Sequence, residues 1–128
     1  MGAHSRRKGA QGERELVALA KSAGFDKAHR TAPMQAAQGG AETYGDLGAI
    51  PGVYVESKRY KATPVRSCVA EVEAKRGKVA GEPVLAWRDD NKPWRVDLDA
   101  RFFFSLLNEV HELRGAIAMC AGSTGVRA

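Results

Sequence analysis

Asp46, Glu56 and Lys58 are the residues whose types and spacing can do chemistry. Two carboxylates and an amine on one surface can hold a hard divalent cation beside a positive charge. Mg²⁺ takes oxygen ligands and keeps several waters, so two carboxylates suffice to anchor it. The Ser57 main-chain carbonyl, between Glu56 and Lys58, offers another oxygen. Such a site suits metal-dependent hydrolysis of a phosphodiester. Lys58 would orient the attacking water or offset charge developing on phosphorus. The Asp…Glu-x-Lys pattern is short and common, so the elements that position it must supply the specificity.

The stretch Gly45 to Lys58 reads as two short strands joined at Pro51-Gly52. Alternate residues of a strand share a face, so Glu56 and Lys58 point the same way. A loop of Pro51-Gly52 alone would pair Asp46 with Ser57 and mix apolar and charged groups on each face. A register shifted by one sets Leu47 opposite Val55, Ala49 opposite Val53 and Asp46 opposite Glu56. One face then holds Leu47, Ala49, Val53 and Val55. The other holds Asp46, Gly48, Tyr54, Glu56 and Lys58. Burial of one face selects this register, because a one-residue slip would bury the charges. It requires an odd loop or a bulge, with Gly52 at positive φ.

The helix predicted over Lys8 to Ala23 adds a further acid. Leu16, Val17, Ala20 and Ala23 recur at helical steps, and Gly24 is a natural stop. Glu13 extends their stripe, whereas Glu15 lies on the other side of the helix. Glu13 is thus a candidate to complete the metal shell; the alternative is a first-turn carboxylate facing the helix dipole.

Basic clusters flank these acids. Ser5-Arg6-Arg7-Lys8 opens the chain, Lys58-Arg59-Tyr60-Lys61 follows the acidic strand, and Lys75-Arg76-Gly77-Lys78 comes later. With a net charge of +5, they point to a polyanionic partner, nucleic acid first. Arg6, Arg7, Lys8, Arg59 and Lys61 are the candidate phosphate contacts.

The 128 residues make one domain and hardly two, at 44% hydrophobic and 27% charged. No stretch approaches ~18 uninterrupted apolar residues, and no apolar segment follows the basic start, so neither a membrane span nor a signal peptide is expected. Two cysteines and three scattered histidines give no disulfide framework or zinc spacing. An intracellular, reducing compartment is expected. Phe25 to Thr31 reads as a strand and the Gly-rich stretch 32–44 as a mobile loop. A helix follows from Pro64 to about Ala80, with Thr63 as cap, Gly81 as stop, and Val65, Cys68, Val69, Val72 and Val79 on one face. Pro83–Trp87 and Trp94–Leu98 are strands around a turn. Trp87 and Trp94 either pack in the core, the expected place, or support the site. Asp99 caps a last helix from Ala100 to about Arg114, whose wide apolar arc either sinks into the core or meets a partner subunit. Residues 115–128 are expected as a weakly ordered tail after a single domain over 1–114.

The run Arg7-Lys8-Gly9-Ala10-Gln11-Gly12-Glu13-Arg14-Glu15-Leu16, the Gly24-Phe25 strand entry, Arg30, Asp46 and Glu56-x-Lys58 resemble the archaeal-type Holliday-junction resolvases. These belong to the restriction-endonuclease-like PD-(D/E)xK nucleases. Pro83-Val84-Leu85-Ala86 and Trp94-Arg95-Val96 resemble their later strands, so the likeness runs from about Arg6 to Leu98. It implies an α/β fold, a mixed central sheet of about five strands flanked by helices. It also implies a homodimer making paired nicks across a four-way DNA junction, with Mg²⁺ as cofactor and Mn²⁺ able to substitute. Glu13, Asp46, Glu56 and Lys58 fall on the catalytic positions. Arg14 and Arg30 match basic positions near the active site, and the stretch from Thr31 to Tyr44 matches a DNA-contacting segment. Gly45 stands where the family carries proline, and Thr31 where it carries serine. A phage-encoded or nucleoid-associated resolvase fits this pattern. The alternatives are a related Mg²⁺ nuclease for flaps, nicked or duplex DNA, and a DNA-binding protein whose acids are structural.

Overall fold

The computed structural model of the chain describes residues 2–31 and 45–123. Two compact units are distinct; one ends at Asp97 and the other begins at Leu98.

The first unit is an α/β layer structure. Helix α1 spans Ala3–Ser22. Strand β1 is His29–Arg30, β2 is Leu47–Gly48 and β3 is Val53–Tyr60. Helix α2 is Val65–Arg76, followed by β4, Glu82–Asp89, and β5, Arg95–Asp97. The five strands form one mixed sheet in the order β1-β2-β3-β4-β5. Only the β3–β4 pairing is parallel. A parallel pair needs a crossover, and α2 provides it.

The crossover explains why β3 departs from its expected two-faced character. Both faces of this central strand are covered. Tyr54 packs with Cys68 and Val72 of α2 and Leu85 of β4, supported by Val65, Val69, Val79 and Trp87. On the opposite face, Val55 and Val84 line an apolar cavity with Leu16 and Leu47. The face expected to be open is therefore a second core face. Glu56 lies within it, only 5% exposed. Pattern alone assumed one covered face, whereas strands with a parallel neighbour are covered on both.

The register is the expected one at Leu47 alone; the expected Asp46–Glu56 and Ala49–Val53 pairs do not form, since Asp46 lies against Val55 and β2 ends at Gly48. Leu47 pairs with Val55. The reversal uses residues 49–52, with Gly52 at φ 83 and Ala49 at φ 64. A bulge accompanies it. The Asp46 N–H donates to the Val55 carbonyl at 2.7 Å, so Asp46 and Leu47 both lie against Val55. Gly45 makes this possible. A Cβ at that position would overlap the Val55 carbonyl oxygen. Proline also carries a Cβ, so the glycine before Asp46 is a requirement of this close approach.

Element ends differ from expectation in several places. Helix α1 starts at Ala3, and β1 shrinks to His29–Arg30. Helix α2 stops at Gly77, φ 49, rather than Gly81. Pro64 holds its N-cap position, and no side chain caps that end. Thr63 instead binds β4: its N–H donates to Asp89 and its hydroxyl to the Arg88 carbonyl. Stretch 32–44, read as a mobile DNA-contacting loop, lies outside the described residues.

The second unit carries helix α3, Ala100–Ser123. Asp99 caps it as expected, accepting from the Arg101 and Phe102 N–H groups at 2.9 and 3.2 Å. The helix does not end near Arg114; it continues through the small residues expected to form a loose tail. Alanines there favour the helix, and its two glycines weaken it without breaking it. No described helix is long and apolar enough to cross a membrane.

Gly45→Ala is expected to lose about 2–4 kcal/mol of stability through the clash with Val55. Gly9→Ala, in open space within α1, is expected to gain up to about 1 kcal/mol. Urea denaturation of both variants checks the pair; equal effects would show that the approach at Gly45 is no constraint.

Candidate active site

Asp46 and Glu56 are brought together where the bulge meets the middle of β3. Asp46 Oδ2 accepts from the Ser57 N–H at 2.7 Å and from the Ser57 hydroxyl at 3.3 Å. These bonds stand in for the strand ladder that the bulge interrupts, and they fix the Asp46 side chain at the sheet. The Glu56 carboxyl lies close enough to that of Asp46 to feel its charge.

Burial and this neighbour govern Glu56. Desolvation, then the hydrogen bond and negative charge of Asp46, push its pKa from 4.5 up to about 7. Tyr54 donates its hydroxyl to Glu56 Oε1 at 3.1 Å. Burial, and then the Glu56 charge, push the Tyr54 phenol up to about 12, so it stays a donor. Lys75 of α2 approaches Glu56 Oε2 at 3.8 Å.

Lys58 shares the Glu56 face and is paired with Glu71 of α2 at 2.9 Å. Burial disfavours its ammonium form most, but the Glu71 bond and charge, with smaller help from Tyr60 and Cys68, together outweigh it and raise the pKa. Lys58 is therefore a fixed cation.

Glu13 and Glu15 do flank the buried Gly12–Leu16 seam of α1 and serve different partners. Glu13 binds Arg30 at 2.7 Å. Its pKa is raised, first by burial and further by the Asp46 charge, against the pull of Arg30. Glu13 thus lies in the field of Asp46, although its carboxylate is given to arginine. Glu15 accepts from Trp94 Nε1 at 2.9 Å and pairs with Arg88 at 3.0 Å. Burial raises its pKa, but Trp94, Arg88 and Arg59 reverse that and leave it below the usual range.

The expected phosphate contacts divide. Arg6, Arg7, Arg14 and Lys61 are exposed. Lys8 and Arg59 are not free cations: Lys8 binds Asp90 at 2.8 Å, and Arg59 reaches Glu15 at 3.5 Å and Asp90 at 3.6 Å. Arg7, Lys8 and Arg59 share one cleft with His4 and Gln11. Arg59 lies on the face opposite Glu56, since adjacent strand residues alternate. Thr31 sits beside the site, its N–H donating to the Asp46 carbonyl at 3.0 Å. Its buried hydroxyl has no hydrogen-bond partner among the described residues.

Among the described residues, no three His, Cys, Asp or Glu side chains form a group that could hold a metal. Asp46 and Glu56 alone fit one of the Mg²⁺ kind, which needs only one or two carboxylates. Their mutual repulsion is the observation behind that fit, because a cation between them would relieve it. Sequence reasoning missed Tyr54, Glu71 and Lys75. Tyr54 was visible two residues before Glu56 on the same face. Glu71 and Lys75 were visible as a helical pair flanking Val72.

Comparison with protein-family models, with curated proteins and with solved structures finds no match to this chain.

The raised pKa of Glu56 has a consequence for stability. Below pH 4.5 this group is protonated, folded or unfolded, and contributes no penalty. Between pH 4.5 and about 7 the folded state binds more protons, so stability falls as pH rises. Without divalent ions, Glu56→Gln is expected to stabilise the protein by up to about 3 kcal/mol at pH 8. It should change little at pH 4. Thermal unfolding at the two pH values checks this; equal shifts would contradict it.

Proposed function

We propose that this protein is a Mg²⁺-dependent endonuclease that resolves four-way DNA junctions by paired nicks. The observation that carries the proposal is the apposition of the Asp46 and Glu56 carboxyls at a buried sheet position, with Lys58 on the same face as Glu56. The five-strand mixed sheet with α1 and α2 is compatible with a PD-(D/E)xK nuclease core.

In this reading Asp46 and Glu56 hold the ion, with the Ser57 carbonyl as a further oxygen and Glu13 behind Asp46. When bound, the ion supplies Lewis-acid polarisation of the phosphate and an attacking water of lowered pKa. Asp46 is kept in place by the Ser57 N–H and hydroxyl. The Tyr54 hydroxyl orients Glu56 by donating to one of its oxygens. Lys58, kept protonated by Glu71, offsets charge developing on the phosphate. Arg30 holds Glu13 ionised and near the site. Arg6, Arg7, Arg14 and Lys61 contact DNA phosphates, while Lys8 and Arg59 mainly brace the fold. Two such protomers would place their sites for near-symmetric cuts. Mn²⁺ should substitute for Mg²⁺.

The test is incubation with a synthetic four-way junction, a flap and linear duplex, with Mg²⁺ and with EDTA. Symmetric nicking of the junction alone is expected. Preferred cutting of flap or duplex would assign the same machinery to another substrate. Binding without cutting in any metal would reduce the protein to a DNA-binding module. Glu56→Ala should lose cleavage by at least about a hundredfold while retaining junction binding, since each tenfold corresponds to about 1.4 kcal/mol of barrier.

Glu13 and Glu15 separate on two readouts. Glu13→Gln should slow cleavage and leave stability nearly unchanged. Glu15→Gln should lower stability by about 1–3 kcal/mol, because Arg88 and Trp94 lose a partly buried acceptor. It should slow cleavage far less. Equal effects on cleavage would remove Glu13 from the site.

A further inference from the structure

Helix α3 is a compact unit by itself, and its large apolar side chains are exposed. Phe103, Val110 and Leu113 are 46%, 42% and 62% exposed, and Ile117 is 68% exposed. Their order along the helix is regular. Phe103, Leu106, Val110, Leu113, Ile117 and Cys120 follow one another at steps of three and four. This is a heptad seam, with Phe103, Val110 and Ile117 at its a positions and Leu106, Leu113 and Cys120 at its d positions. Over 24 residues the helix is about 36 Å long and carries this seam along most of its length.

The choice of residues specifies the occupant. β-Branched side chains at a with leucine at d favour two parallel strands. Val110 and Ile117 against Leu106 and Leu113 meet that rule. The flanking charges agree. Glu109 falls at g and Arg114 at the following e position. In a parallel, in-register pair each Glu109 meets Arg114 of the other copy. In an antiparallel pair, g faces g and e faces e, which sets like charges together. The residues least suited to a helix also avoid the seam. Gly115 and Gly122 both fall at f, on the outer side, with nothing around them. Asn108 binds Glu112 on that outer side as well.

We propose that α3 is the dimerisation element, forming a parallel, in-register two-stranded coiled coil with α3 of a second copy of this chain. The seam is short, so association is moderate in strength and sensitive to each flanking pair. The inference deepens the homodimer of the proposed nuclease by naming its surface, yet it rests on the helix alone.

Sedimentation equilibrium of the full chain, with Cys120→Ser as background, tests it. A dimer is expected. Glu109→Arg and Arg114→Glu should each weaken it about tenfold, through like charges at both g–e pairs. The double variant Glu109→Arg/Arg114→Glu should recover the starting affinity within about threefold, as coupled pairs do. Separately, copper–phenanthroline with O₂ should oxidise the native chain to a covalent dimer through Cys120. That product should vanish in Cys120→Ser, because Cys68 is buried. A monomer at all concentrations would overturn the proposal. So would a dimer indifferent to the charge exchange, which would place α3 on some other surface, or the absence of a Cys120 crosslink. A dimer without nuclease activity leaves this inference standing and removes only the enzymatic reading.

Discussion

A buried carboxyl beside a second, part-buried one is the constraint on which this structure turns. Asp46 and Glu56 repel, and burial magnifies the repulsion. The fold nevertheless holds them close from several directions. Gly45 lets the chain press against Val55, the bulge turns Asp46 toward β3, and the Ser57 N–H anchors its carboxylate. Tyr54 and Lys75 bind the Glu56 side. A protein selected only for stability would have a cheaper solution here, such as an amide or an apolar side chain. Such a cluster is therefore the candidate functional site of the fold.

The positive charges separate into two jobs on the two faces of β3. Beyond the α1 face, Arg59 and Arg88 with Lys8 are consumed by Glu15 and Asp90, and Trp94 closes that network. These cations tie α1 to β3 and β4 and keep Glu13 in place. On the α2 face, Lys75 approaches Glu56 and Lys58 is held by Glu71. Net positive charge therefore overstates the surface available to DNA. In the proposed reading, the exposed Arg6, Arg7, Arg14 and Lys61 are the cations left for it.

Much of this was legible from residue pattern. The Leu47–Val55 register followed from keeping charges out of one core face, and Glu13 and Glu15 parted as helical spacing requires. Cys68 and the α2 stripe were legible for the same reason. What pattern could not show was long-range. Nothing local says that α2 covers the Tyr54–Glu56 face, since that follows from the parallel β3–β4 pairing. Which carboxylate claims which arginine likewise depends on partners up to 73 residues apart. The run of α3 past Arg114 was missed because its small residues read as loop, although alanine is the best helix former. A hydrophobic stripe marks a face to be covered without saying by what.

The most direct test is calorimetric titration of Mn²⁺ and Mg²⁺ into the wild type, Asp46→Asn and Glu15→Gln in the absence of DNA. The Asp46–Glu56 pair as a cation site requires one ion per chain in the wild type. It also requires affinity at least about tenfold weaker in Asp46→Asn, since a charged ligand is worth more than 1.4 kcal/mol. Glu15→Gln should bind the ion as the wild type does. Wild-type binding that Asp46→Asn leaves unchanged, or no binding at millimolar ion, would contradict the account.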